Sequence, residues 1–193
     1  MTALTRTDLY NLETYAVERA AFRARVLAHK QVRKLQLGEH VTLLFEDRLT
    51  IQYQIQEMLR IERIFEPAAI QGELDAYNPL IPGGHDLKAT MLIEYADVDL
   101  RRRELARLGG IEHHVNAEVA GIGRATTHAD EDMDRSEDDK TSAVHFLRFD
   151  FTAEMIAGLR AGAALQFGID DARMSTAIEV PMATREALLR DFA

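Results

Sequence analysis

FEDRLTIQYQIQEMLRIERIF, residues Phe45–Phe65, is the stretch that decides the reading of the fold. At the 100° step of a helix, Ile51, Ile55, Met58, Leu59, Ile61 and Phe65 gather on one side with Glu62 inside their arc. Leu49 and Ile64 lie opposite, beside Tyr53, Gln56 and Arg60. A helix apolar on two sides is normally enclosed by its protein. The expectation is a buried central helix near 48–65. It would carry carboxylate, guanidinium, amide and phenol groups that each need a partner once out of water.

Immediately upstream, Val32 to Leu37 and Val41 to Glu46 are apolar-rich runs around Gly38-Glu39-His40, which reads as a hairpin feeding into that helix. Before it, Thr5 to Asn11 suits a short capped helix and Thr14 to about Lys30 a longer one. Downstream, Pro67 opens a helix to about Tyr77, and Asn78-Pro79 and Pro82-Gly83-Gly84 force an irregular connection. From Leu87 to Tyr95 apolar residues alternate as in a half-buried strand. A helix follows from Val98 to Leu108, stopped by Gly109-Gly110. Alternation returns over Ile111 to Ala120, and Gly121-Ile122 supplies a tight turn into Gly123 to His128.

Asp130 to Lys140, DEDMDRSEDDK, holds seven acids and two bases and reads as a solvated loop. Ala143 to Phe151 is a strand, and Thr152 caps a helix to about Arg160 that Gly162 ends. Strands at Ala164 to Ile169 and Ser175 to Val180 precede a last helix, Met182 to Asp191. The order strand, helix, strand, strand thus occurs over 87–128 and again over 143–180. The fold expected is α+β: a single compact domain over 1–193, with a mostly antiparallel or mixed sheet packed by helices.

A formal charge of −9 over 193 residues argues against a general binder of nucleic acid or anionic membrane. No apolar run reaches the roughly 18 residues of a membrane span, and MTALTRTDLYNLETY lacks the regions of a secretory signal, so a cytoplasmic protein is expected. The chain has no cysteine, which removes disulfides, thiolate nucleophiles, zinc-thiolate sites and cysteine-held iron–sulfur clusters from its own chemistry.

Across EHVTLLFEDRLTIQYQIQEMLRIERIFE, NPLIPGGHDLKATMLIEY and DKTSAVHFLRF, the chain resembles the bacterial family filed as domain of unknown function 3501, over nearly its whole length. That resemblance implies no catalytic activity, cofactor or site. It does imply a setting: gene neighbourhoods that also encode rubrerythrin-like proteins and iron–sulfur oxidoreductases. An accessory role in oxidative or peroxide-stress defence, with such a protein as partner, is the corresponding expectation.

Five sets of residues are candidates for function. Tyr53, Gln56, Glu57 and Arg60 on the central helix can wall a pocket for a polar or anionic ligand, with Arg60 as charge anchor, or form a structural network locking the helix to the sheet. Glu62, inside the apolar arc, becomes an acid of raised pKa if it is buried without a partner. Arg148, on the strand face opposite His145, is free to meet a ligand or an acid, whereas His145 shares its side with Leu147 and Phe149 as a satisfied core histidine does.

Given a two-residue turn at Gly121-Ile122, His113, His128 and Asp130 share a face and suit a non-haem metal such as iron, manganese or zinc. Ordinary hydrogen-bonded histidines are the alternative, and the register is open to a one-residue slip. Arg23, Arg33 and Lys34 belong to a basic surface that can dock a protein partner or simply face solvent. No cofactor is required by the sequence. The leading expectation is a partner-binding accessory protein; the competing one is a small enzyme or ligand sensor built on the central-helix pocket or the metal residues.

Overall fold

The computed structural model describes residues 2–129 and 141–193, so the expected acidic loop over 130–140 lies outside the described residues. Helix α1, Leu12–Gln31, starts two residues ahead of Thr14 because Asn11, not Thr14, caps it, accepting the Thr14 backbone N–H at 2.8 Å. The hairpin of β1 (Lys34–Leu37) and β2 (Val41–Phe45) follows, then α2 (Arg48–Glu62) and α3 (Pro67–Tyr77). Strand β3 (Asp86–Ile93) leads through α4 (Val98–Arg107) to β4 (Val115–Val119), β5 (Gly123–Arg124) and β6 (Thr126–Ala129). The remainder is β7 (Val144–Asp150), α5 (Ala153–Arg160), β8 (Leu165–Ile169), β9 (Thr176–Glu179) and α6 (Met182–Leu189).

The fold is α+β, built on two sheets in which every pairing among the described residues is antiparallel. One runs β1-β2-β3-β7-β6 and the other β5-β4-β8-β9. The two strand–helix–strand–strand runs meet as neighbours, β3 beside β7 in the first sheet and β4 beside β8 in the second. Alternating apolar residues of both sheets share one core: Phe167 of β8 lies 5.0 Å from Phe45 of β2 and 5.0 Å from Phe149 of β7, centroid to centroid. Truncating such a buried ring costs about 3–5 kcal/mol.

Strand β4 differs from expectation at both ends. Ile111–His114 is a 3₁₀ turn, which starts after Gly110 takes φ +77°. At the other end the hairpin pairs Val119 with Gly123 rather than Ala120 with Gly123, and lasts two residues. The chain then crosses at buried Ala125 into the other sheet, where His128 pairs with Arg148.

Helices α1 to α3 bury their apolar residues in two smaller clusters of their own. One gathers Leu4, Ile51, Ile55, Leu59, Leu74 and Ile81, the other Tyr15, Phe22 and Val26. Burial of α2 is thus narrower than its composition suggests. Ile51, Ile55, Gln56 and Leu59 are buried, but the end is open, with Ile61 of the last turn 61% exposed and Phe65, beyond the helix, 64% exposed. The helix stops at Arg63, whose left-handed φ of 55° lets Ile64 N–H reach back to the Leu59 carbonyl at 3.0 Å.

Candidate functional site

The polar groups of α2 come together, and what they grip is α1. Glu57 accepts from the Tyr15 hydroxyl at 2.7 Å, from Arg19 Nε and Nη2 at 2.8 Å each, and from Arg60 at 3.2 and 3.4 Å. The Arg19 hydrogen bond, with lesser help from Tyr15 and Arg60, outweighs desolvation and holds the Glu57 carboxyl down to about 2. Burial and the Glu57 carboxylate in turn raise the Tyr15 phenol.

Buried Gln56 accepts the Tyr10 N–H at 2.7 Å and donates to the Tyr10 carbonyl at 3.3 Å, tying down the segment before α1. Tyr53 packs edge-on to Phe22 at 5.9 Å. This is a structural clasp, made to a helix and not to a sheet. Glu62 is exposed, because its side of the last turn has no covering layer.

The metal residues are not brought together as a set among the described residues. His113 sits in the 3₁₀ turn with its side chain 66% exposed, and His128 lies 3.2 Å from Asp150 on β7. Asp130 lies outside the described residues. The crossing at Ala125 is the physical reason, since it pairs β6 with β7 instead of with β4 and so breaks the register that would set His113 and His128 on one ladder. Arg148 stands next to His128 in register, 3.2 Å from the same Asp150.

His145 is fully buried: its Nε2 lies 2.8 Å from Thr141 Oγ1 and 3.0 Å from the Ser142 carbonyl, and Thr141 donates to buried Glu112 at 3.1 Å. That chain of contacts ties the 3₁₀ turn to the start of β7.

Arg33 requires a correction. It is 2% exposed, not part of a basic surface with Arg23 and Lys34, which are exposed as expected. Its guanidinium donates to the carbonyls of Phe45 at 3.1 Å, Glu46 at 3.1 Å and Ala187 at 3.2 Å, and to the Asp191 carboxylate. Asp47 lies 3.5 Å away while capping α2 through Leu49 and Thr50 N–H. Burial pushes Asp47 up, yet Arg33, the Thr50 N–H and His29 together leave it below its usual value. Asp191 is the reverse case, where burial prevails over Arg33 and pushes it up to about 6.

Convergent polar groups around open space occur elsewhere, in a groove of about 430 Å³. Its walls are the tip of the β1–β2 hairpin, Tyr95 after β3, one side of α4, and the β8–β9 loop. Gly38 turns the hairpin tip with φ +66°, a conformation suited to glycine, and so brings His40 over Tyr95. The rings stack at 4.0 Å with 27° between planes. His40 Nδ1 is 3.1 Å from the Glu94 carbonyl, a contact that needs Nδ1–H and leaves Nε2 to accept from a visitor when the ring is neutral.

Two arginines brace the opposite wall. Arg107 donates to Glu104 at 2.6 and 2.9 Å and to the Arg173 carbonyl at 3.3 Å. Arg173 donates to Asp171 at 2.7 and 2.8 Å and back to the carbonyls of Arg107 at 2.8 Å and Gly109 at 3.0 Å. Arg173 holds the Asp171 carboxyl well below the usual range, while burial and nearby Glu104 raise the Tyr95 phenol. Ser175 and Thr176 add hydroxyls.

Sequence reasoning missed this groove. His40, Tyr95, Glu104 and Arg173 are far apart along the chain, and the legible signal was local: the i,i+3 pair Glu104 and Arg107. The register Val41 to Ile93 is what sets His40 beside Glu94 and Tyr95.

A family model described as protein of unknown function (DUF3501) matches residues 3–192. A crystal structure of a novel protein of unknown function from Burkholderia pseudomallei K96243 is 47% identical, covers 100% of both chains and superposes with a TM-score of 0.94. No curated protein matches.

Proposed function

Because the chain belongs to the family of proteins of unknown function DUF3501, whose description names no chemistry, we propose from geometry that it is a ligand-binding protein with its site in the hairpin-tip groove. The observation that carries this reading is the His40–Tyr95 stack beside a cavity of about 430 Å³ to which four separate segments contribute hydrogen-bonding groups. That volume lies within the range of small-molecule sites.

The ligand class follows from the charges. Glu104 and Asp171 neutralise the two arginines, and the exposed Glu39 carboxylate stands 3.8 Å from His40 Nε2, so the groove has no net positive charge to offer. Arg107 nevertheless has five N–H groups, of which three are spent on Glu104 and the Arg173 carbonyl. Spare guanidinium donors, the hydroxyls and the exposed edge of a flat ring pair suit a small uncharged or zwitterionic molecule with several acceptors and a planar portion. Reciprocal bonds between Arg107 and Arg173 fix both side chains before a ligand arrives, which lowers the ordering cost of binding. In this reading the protein works by holding its ligand, as an accessory or sensor does. The redox or peroxide-stress setting, with an iron–sulfur oxidoreductase or rubrerythrin-like partner, is the context the family resemblance supplies for it.

Native mass spectrometry of protein purified from its own cells tests the reading. The expected result is a retained small molecule that disappears in His40→Ala and in Arg107→Ala, both variants melting close to the parent. A bare chain mass, or an adduct that survives both substitutions, overturns it. Co-purification with a redox enzyme is read from the same spectra, and its absence removes the proposed context without touching the groove.

A further inference from the structure

Tyr95 carries a hydroxyl that the fold leaves without a partner. The residue is 7% exposed, held just past β3 beneath the His40 ring. Its hydroxyl makes no hydrogen bond to any described residue, in contrast to buried Tyr15, whose hydroxyl donates to Glu57 at 2.7 Å. Nor is the oxygen sealed inside the protein: it keeps contact with open space, and Tyr95 lines the hairpin-tip groove. A phenol taken out of bulk water is normally paired, because a hydrogen bond left unmade costs stability. Here the ring supplies packing, and the hydroxyl is left over for a molecule that enters.

The groups around that hydroxyl define what it meets. Burial and then the Glu104 carboxylate raise the phenol, with Arg107 opposing them, so the hydroxyl keeps its proton and serves as a donor at neutral pH. Glu104 and Arg107 stand one turn apart on α4, close enough to act on Tyr95 across the groove. Two N–H groups of Arg107 are not spent on Glu104 or on the Arg173 carbonyl. Tyr95 and Arg107 thus offer donors to a shared acceptor. With Glu104, Asp171 and Glu39 around the groove, no surplus positive charge is present to offset a carboxylate, so the acceptor they suit is a neutral oxygen. His40, stacked on Tyr95 at 4.0 Å, supplies the complement: Nδ1–H is spent on the Glu94 carbonyl and Nε2 accepts. An amide places an acceptor oxygen and a donor N–H side by side in one plane.

On the reading that the groove is the ligand site, we propose that its ligand is a neutral planar amide, whose carbonyl oxygen accepts from the Tyr95 hydroxyl and Arg107 and whose N–H donates to His40 Nε2. Tyr95 then selects for the carbonyl. A buried donor with no partner of its own discriminates against a molecule that cannot satisfy it, because the donor stays unmet in that complex. Acids, amines and hydrocarbons of the same shape fall outside the class.

Benzamide and thiobenzamide are the probes, since they share shape and N–H donors while the thiocarbonyl sulfur is a poor acceptor. Titration of the full chain, followed through the backbone amide signals of Gly38, His40, Tyr95 and Thr176, is expected to place benzamide in the groove about tenfold tighter than thiobenzamide. Tyr95→Phe keeps the stacked ring and removes only the hydroxyl. Because that hydroxyl holds nothing in the fold, the variant is expected to melt no lower than the parent and to bind both probes equally. Equal affinities in the parent, a preference that survives Tyr95→Phe, a variant that melts well below the parent, or no groove signal with either probe each overturns the proposal. The wider reading is decided separately by the molecule retained in native mass spectrometry. A retained molecule that lacks an amide keeps the groove as a site and refutes the amide.

Discussion

Replacing Arg33 by Met tests the account of how the helical layer is attached to the two sheets. The substitution keeps most of the side-chain volume and removes a guanidinium that is 2% exposed. It leaves the Phe45, Glu46 and Ala187 carbonyls short of a donor and strands the Asp191 carboxylate. Breaking a buried ion pair from one side costs about 3–5 kcal/mol, and a carbonyl left unsatisfied about 1–3 kcal/mol before relaxation. Since contacts within one network are not additive, the expected loss is about 4 kcal/mol, a large part of the 5–15 kcal/mol available to a typical protein. In a chain of this size that lowers the melting temperature by roughly 10 °C.

Equilibrium urea unfolding at neutral pH measures it, read as a change in midpoint at constant slope. Replacing Asp191 by Leu in the same chain removes the stranded charge and is expected to return more than about 1 kcal/mol. A single-variant loss under about 1 kcal/mol, or a double variant less stable than the single, refutes the reasoning.

Other consequences concern pH and backbone. Asp191 has a folded pKa raised from 3.8 to about 6, so its contribution to stability is full below about 3.8 and is lost as pH rises through about 6. Asp191→Asn is expected to flatten the stability profile in that window, and an unchanged profile refutes the assignment. Glu57 has the opposite sign: with its pKa lowered from 4.5 to about 2, its stabilisation is present above 4.5 and lost as pH falls towards 2. Glu57→Gln should therefore weaken the acid dependence over that range, as followed by circular dichroism. Two backbone changes should act in opposite directions in thermal melts. Arg63→Gly relieves a left-handed residue and should stabilise by about 0.5–1 kcal/mol. Gly168→Ala sets a methyl 2.8 Å from the Thr176 carbonyl oxygen and should destabilise by about 1–3 kcal/mol.

Where a residue's neighbours are set by its own element, the sequence was legible. The alternation at Leu87, Ala89, Met91 and Ile93 marks β3, and Thr152 caps α5 by accepting Met155 N–H at 3.2 Å, as its position before an apolar run suggests. Failures occurred where a distant segment decides. Counting from Gly121-Ile122 places His128 on the strand that pairs with β4, but the chain changes sheets at Ala125. Arg33 lies within a run of bases that reads as one basic surface, whereas the carbonyls that bury it come from β2 and α6. A two-faced apolar pattern alone does not enclose a helix in this protein. On α2 the exposed end simply stays exposed, while α1, whose many alanines give a weak apolar signal, carries an uncovered second face. His40 and Tyr95 have no local signature that links them, because their stacking depends on the β2–β3 register.

The change of sheets at Ala125 also bears on aggregation. Because β5 and β6 are joined there by one residue, two strand margins lie beside each other and leave little length for a foreign strand to zip onto. On the far side, β9 has four residues and ends in Glu179. Pro181 follows shortly and has no N–H to donate to an added strand. Recruitment of further chains into a growing cross-β stack is thereby discouraged at both flanks of the smaller sheet.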